Sequence, residues 1–319
     1  MNQHPLAERT EQVRDDLQKA IGDEDFATLV RLADEHGVGI FAEPFDDGTV
    51  PVVDLCEIWP DDINPAELWA FIERVVGQPF EREVLDEVVR SVLINSGFEI
   101  EWQRDSLRGF VERGFDPSEP IGEDDPCLFA FLAAFPIVEL VGAAEELGVT
   151  EEARTDAAVA AVAQARLRAG RVDSEKVAFA LRLVASCASM HAEPRSFGMP
   201  LLHTAAAYGC FEVFEAVVSR AEDLDAPIPK SRPWAAPYLG TDDDFDVKKG
   251  LTVATLLNNW ERALAKAEKK AKKNDDSRAD ERAFFSNFIE RAKALLAERG
   301  VAPRTNRASA DTCSSGRPT

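Results

Sequence analysis

Imidazoles and thiols are the side chains that most readily carry proton transfer, nucleophilic attack or soft-metal binding near neutral pH. This sequence has four of the first, His4, His36, His191 and His203, and five of the second, Cys56, Cys127, Cys187, Cys210 and Cys313. The cysteines are odd in number and widely scattered, with no paired spacing for a zinc site or a disulfide framework. His191-Ala192-Glu193 has the His-x-Glu spacing used where a zinc-bound water is activated for deamination. No Cys-x-x-Cys follows to complete such a site, so the match reads as coincidence. Cys187 and Cys210 flank His191 and His203 in sequence, which leaves a thiolate–imidazole pair open. Both thiols sit among Ala, Val and Phe, surroundings that raise a thiol pKa, and the expectation is buried packing rather than attack.

Carboxylates are the abundant chemistry. Asp and Glu number 58 against 36 Lys and Arg, for a formal charge of -22. The densest run, Asp242-Asp243-Asp244-Phe245-Asp246, has charge to attract a hard cation but lacks the Gly and distal Glu of a calcium loop, and reads as a solvated loop. A Gly-rich phosphate loop ending in Lys-Ser or Lys-Thr, a nucleophile elbow and a paired-His helix do not occur. The expectation is therefore no catalytic residue, no metal and no cofactor. A field of this sign repels nucleic acid and anionic membrane and favours a basic protein partner, while it serves solubility equally well.

The elements that would position such residues are helical. Leu6, Val13, Leu17 and Ile21 recur at helical spacing before a break at Gly22 to Asp25. Asp25 then caps a second helix with Phe26, Leu29, Val30 and Leu32 as its buried stripe, and Gly37 stops it. Asn64, Pro65 and Glu67 form a capping-box start, followed by Leu68, Phe71, Ile72 and Val75. Val84, Leu85, Val88, Val89, Val92 and Leu93 mark the next helix before Gly97. Further helices start near Thr150 and near Asp173 or Ser174, with an Ala-rich run from Ala157 to Leu167. Cys127 to Ala144 is almost wholly apolar, but Pro136 and Glu139 interrupt it and no basic anchor flanks it, so it reads as two buried helix segments. The N-terminus, Met1 to Asp15, is polar and does not read as a secretory signal. Arg262, Lys266, Lys269, Lys270, Lys272, Lys273, Arg278 and Arg282 read as a solvated helix face with a break at Asn274 to Ser277. Residues 302 to 319 lack the apolar content to offset ordering and are expected to be disordered.

One stretch carries a family likeness. Leu202-His203-Thr204-Ala205-Ala206, the turn residue Gly209 and the apolar positions Val213, Phe214, Val217 and Val218 together resemble an ankyrin repeat. Ala205 and Ala206 allow close helix approach, Leu202 fills the gap between units and Gly209 permits a tight turn. Pro200-Leu201 stands where the family has Thr-Pro, and Ala221-Glu222 where it has Gly-Ala. Fainter echoes appear at Leu107 to Pro117, at Asp125 to Ala130, at Leu32 to Gly37 with Asp47-Gly48-Thr49, and at Gly250-Leu251-Thr252 with Leu295 to Gly300. Gly148 follows 34 positions after Gly114.

The resemblance implies an all-α, helical-repeat (ankyrin-like) solenoid over residues 1–301 with irregular insertions, the main rival being an unrelated α-α solenoid. It also implies a function: an intracellular, cytoplasmic protein-binding module, an inhibitor or neutraliser of a basic protein. The largest insertion, residues 223–249, is expected to hold the contact, with Trp234, Tyr238, Asp242, Asp243, Asp244, Phe245 and Asp246 as partner-binding residues. The alternative for the two rings is that they cover the stack's own core. Two other functions stay open: an enzyme with a carboxylate site in a helical groove, and a structural subunit of a larger assembly.

Overall fold

A computed structural model describes residues 4–57, 70, 74, 82–94, 99–112, 114–121, 126–135, 137–165, 173–195, 199–229, 232–235, 244–247, 249–271 and 279–301. The Asn64 helix start, the Asn274 break and the tail 302–319 lie outside them. The described residues form thirteen α-helices, one 3-10 turn and one two-stranded antiparallel hairpin. Backbone contacts divide the chain into two compact units, Met1–Ala153 and Arg154–Thr319.

The first unit opens with α1 (His4–Gly22) and α2 (Phe26–His36), joined through the acidic break. The Asp25 carboxylate accepts the Thr28 N–H at 3.1 Å and caps α2, and Gly37, at φ 85°, ends it. Leu29, Leu32 and Ala33 form the buried stripe. Val30 does not belong to it: one residue on from Leu29 turns the side chain about 100° round the helix, and it is 47% exposed. A 3-10 turn (Val38–Phe41) leads to α3 (Pro51–Glu57). Two hairpins follow, α4 (Arg82–Ile94) with α5 (Ile100–Glu112), and α6 (Leu128–Ala134) with α7 (Val138–Leu147). Val88, Val89, Val92 and Leu93 of α4 are fully buried. The apolar stretch from Cys127 is thus two short helices, and among the described residues no helix is long and apolar enough to cross a membrane.

The chain passes into the second unit within α8 (Glu151–Gln164), whose Ala157, Ala158, Ala160 and Ala161 are buried. Then come α9 (Ser174–Ser186), α10 (Leu201–Tyr208), α11 (Phe211–Arg220), α12 (Val253–Ala271) and α13 (Ala279–Glu298). Asp173 caps α9 by accepting the Glu175 N–H at 3.0 Å and the Lys176 N–H at 3.4 Å. Phe214 of α11 meets Phe288 of α13 edge to face at 5.7 Å, and Phe288 stacks on Phe285, which meets Trp260 of α12. Arg282, read from sequence as part of a solvated basic face, is 6% exposed. Its helix turns it to the same side as Phe285 and Ile289, three and seven residues on.

Helix pairing is selective. In the first unit α4 packs on α5 and α6 on α7 as the two arms of hairpins, while α5 packs on α7, second arm on second arm. In the second unit α10 and α11 form one hairpin and α12 and α13 another, with α10 on α12, first arm on first arm. The second arms α11 and α13 also pack on each other, and α9 packs on α11. Where two hairpins meet within a unit, they do so through corresponding arms.

Candidate interaction surface

Connectors join successive hairpins, and their hydrogen bonds show what sets them in place. The connector after α2 closes a tight turn: Phe45 N–H donates to the Thr49 carbonyl at 2.7 Å, and the Asp47 carboxylate accepts the Thr49 N–H at 3.0 Å. The one after α5 folds back at Pro120 and Cys127, with Ile121 N–H donating to the Pro126 carbonyl at 3.1 Å. Gly114 and Gly148 end the second arms α5 and α7 at φ 91° and 93°, a left-handed region that favours glycine.

The same tie recurs in both units. In the first, Thr150 N–H donates to the Ser118 hydroxyl at 2.9 Å; in the second, Asp223 N–H donates to His191 Nε2 at 3.3 Å. Each bond joins a connector backbone to a side chain of the connector before it, and each spans 32 residues. At the end of α11, Arg220 donates to the Val184 and Cys187 carbonyls at the end of α9, the latter 33 residues away. Sequence reasoning missed Ser118, Arg220 and the acceptor role of His191. The signal that finds Ser118 and His191 is a polar residue in one connector about 33 positions before a connector backbone N–H; Arg220, a helix-end donor that reaches back to a carbonyl, does not follow it.

Burial governs His203, Cys210 and Cys187. His203, on α10, is 1% exposed, and burial pushes its pKa down to about 4, with His191 adding to the fall. The backbones of Ala226 and Leu251 oppose that fall, although neither ring nitrogen meets a partner at full hydrogen-bond geometry. Burial pushes the Cys210 thiol up to about 11, the opposite of what a nucleophile needs, and Cys187 is 1% exposed. Among the described residues no group of three or more His, Cys, Asp or Glu is placed to hold a metal.

The longest connector, between α11 and α12, contains a β-finger where the sequence reading expected a Pro-rich loop. Its base is pinned by Ile228, which is 1% exposed: Ile228 N–H donates to the Leu251 carbonyl and Gly250 N–H to the Ile228 carbonyl, both at 2.8 Å. Thr252 then caps α12 by accepting the Thr255 N–H at 3.4 Å. Beyond the base run β1 (Arg232–Ala235) and β2 (Asp244–Val247), paired Arg232 with Val247, Pro233 with Asp246, Trp234 with Phe245 and Ala235 with Asp244. Residues directly opposite in an antiparallel ladder share a face. Register thus places positions 234 and 245 on one face and positions 244 and 246 on the other. Of the seven partner-binding residues expected from sequence, the hairpin holds Trp234, Asp244, Phe245 and Asp246; Tyr238, Asp242 and Asp243 lie outside the described residues. Among the described elements neither strand packs substantially on any helix.

Compared with known proteins, the chain matches no family model and no curated relative.

Proposed function

We propose that this chain is a protein-binding module: a divergent, ankyrin-like stack of helical hairpins that holds a basic partner through its connectors, with the 228–251 finger foremost. The observation that supports this reading best is the recurrence of the connector tie at 32 residues in both units, Ser118 to Thr150 and His191 to Asp223. A stack of equivalent hairpins produces such a spacing, and the ankyrin repeat length is about 33. Like arms packing on like arms within each unit, and Ala205 and Ala206 buried on α10, agree with it. In such a stack the helix faces are consumed by packing, which leaves connector tips free to evolve contacts. The charge of -22 favours a basic partner. A cytoplasmic location and an inhibitory role belong to the same reading.

The test is affinity capture from the host with two baits, the full chain and a chain in which 232–247 is replaced by a Gly-Ser linker. The expected result is a basic protein held by the first and lost from the second, with helical circular dichroism equal in both. The same proteins on both baits would contradict the finger's role. Release of a chemically altered small molecule from host extract by the purified chain would favour an enzyme instead.

A further inference from the structure

The connector ties of the two units are alike in place and span but differ in what accepts the bond. In the first unit the Thr150 N–H meets the Ser118 hydroxyl, which does not ionise near neutral pH; in the second the Asp223 N–H meets an imidazole nitrogen, His191 Nε2. A neutral imidazole has one N–H and one bare nitrogen. Because Nε2 accepts, the proton of neutral His191 sits on Nδ1, a buried atom with no hydrogen-bond partner among the described residues. A second proton then has one place to go, Nε2, where it meets the Asp223 N–H. Protonation thus turns the acceptor of this tie into a donor and leaves the Ser118 tie untouched.

The bond lost in this way steadies the root of the finger. His191 is set in its own connector by donation of its N–H to the Ser189 hydroxyl at 3.1 Å. Asp223 organises the facing turn: its carboxylate accepts the Asp225 N–H at 2.9 Å and its carbonyl the Ala226 N–H at 3.4 Å, just before the buried Ile228 that pins the finger. The charged and titratable groups borne on these two connectors are Glu193 and Arg195 beside His191, and Glu222, Asp223 and Asp225 between 221 and 228. Tied to them are Asp156 of α8, which accepts the Arg195 N–H at 2.8 Å, and Arg220, which donates to the Cys187 carbonyl; α10 adds His203 and Tyr208. Carboxylates, phenols and guanidinium groups ordinarily hold their state between pH 7.5 and 5.5, where an imidazole ordinarily changes. Burial, with the charge of His191 adding to it, keeps His203 neutral down to about pH 4.

We propose that the His191–Asp223 tie is an acid-released latch: proton uptake at His191 Nε2 frees the turn at 223–226 and loosens the base of the finger, while the Ser118–Thr150 tie of the first unit stays closed. The latch is shut in neutral solution and opens as pH falls. It belongs to the chain itself and does not depend on the binding reading; under that reading it eases release of a partner from the finger in mild acid.

The test is amide hydrogen exchange at Asp223 and Thr150 in the full chain without a partner, followed by NMR from pH 7.5 to 5.5 and corrected for the intrinsic pH dependence of exchange. The ring shifts of His191 are recorded on the same samples. Protection of the Asp223 amide is expected to fall about threefold to tenfold in step with the His191 ring shift, and that of Thr150 to hold within about twofold. His191→Gln presents a side-chain carbonyl that accepts but does not titrate, and is expected to keep Asp223 protection level over the whole range. Asp223 protection that holds while the ring titrates overturns the latch, as does a ring that stays neutral to pH 5.5. A fall of equal size in the parent and in His191→Gln, or equal falls at Asp223 and Thr150, overturns it too. Should His191→Gln fail to fold, the comparison of Asp223 with Thr150 in the parent decides.

Discussion

At the scale of single residues the structure is most sensitive where a backbone conformation or a buried polar group leaves no freedom. Gly209 stands at φ 78° between α10 and α11, and a β-carbon there would lie 2.7 Å from the Phe285 ring. Gly209→Ala is therefore expected to cost about 2 kcal/mol or more, from left-handed strain and from displacing an aromatic packed in the core. Urea unfolding measures it, and a change below about 0.5 kcal/mol would show that the ring moves freely.

His203 gives a pH signature. Its pKa is about 4 in the folded chain against an ordinary 6.5, so between those values the unfolded chain binds a proton that the folded chain does not. The stability linked to neutral His203 is whole above pH 6.5 and falls as acid carries the chain through this window, by up to about 3 kcal/mol at its lower end. His203→Gln, compared with the parent at pH 7 and pH 4.5, should flatten that fall. An identical slope in both would mean that other groups carry it.

At the scale of elements, helix starts and connectors decide the architecture. Asp173 caps α9 through two backbone N–H groups, and Asp173→Ala should lower stability by about 1 kcal/mol without altering any packing face, a loss that thermal unfolding resolves. Such local chemistry was legible in the sequence. Asp25 and Asp173 are caps because a carboxylate before an apolar run satisfies N–H groups that the helix cannot, and Gly37 is a stop because the chain must turn left-handed there. Helix existence followed from apolar spacing, even through the long run from Cys127.

Side-chain direction at the margins was less legible. Val30 and Arg282 each sit about 100° or less from a boundary between buried and exposed faces, and residue type alone picked the wrong side. The finger was hidden for a different reason: the sequence between its strands has no Asn-Gly or Asp-Gly pair, and Pro233 argues against a strand. Among the expected contact residues, pairing of Trp234 with Phe245 and separation of Asp244 and Asp246 to the other face are matters of register, which sequence does not set.

At the scale of the whole molecule, charge governs encounter more than fold. With -22 spread over 319 residues, association with a basic partner should slow as salt is added, because screening shortens the reach of the field to about 8 Å at physiological ionic strength. The expected observation is an on-rate that falls several-fold between 50 and 500 mM salt, with a much smaller change in off-rate, read by stopped-flow or surface binding kinetics. A salt-independent on-rate would place the recognition in apolar contacts alone.

The binding account is tested most directly by hydrogen exchange on the chain with its captured partner. The account predicts that protection gained on binding concentrates in residues 228–251, with the helices α9 to α13 unchanged. Protection gained instead across the helix faces, with the finger exchanging as fast as in the free chain, would contradict it.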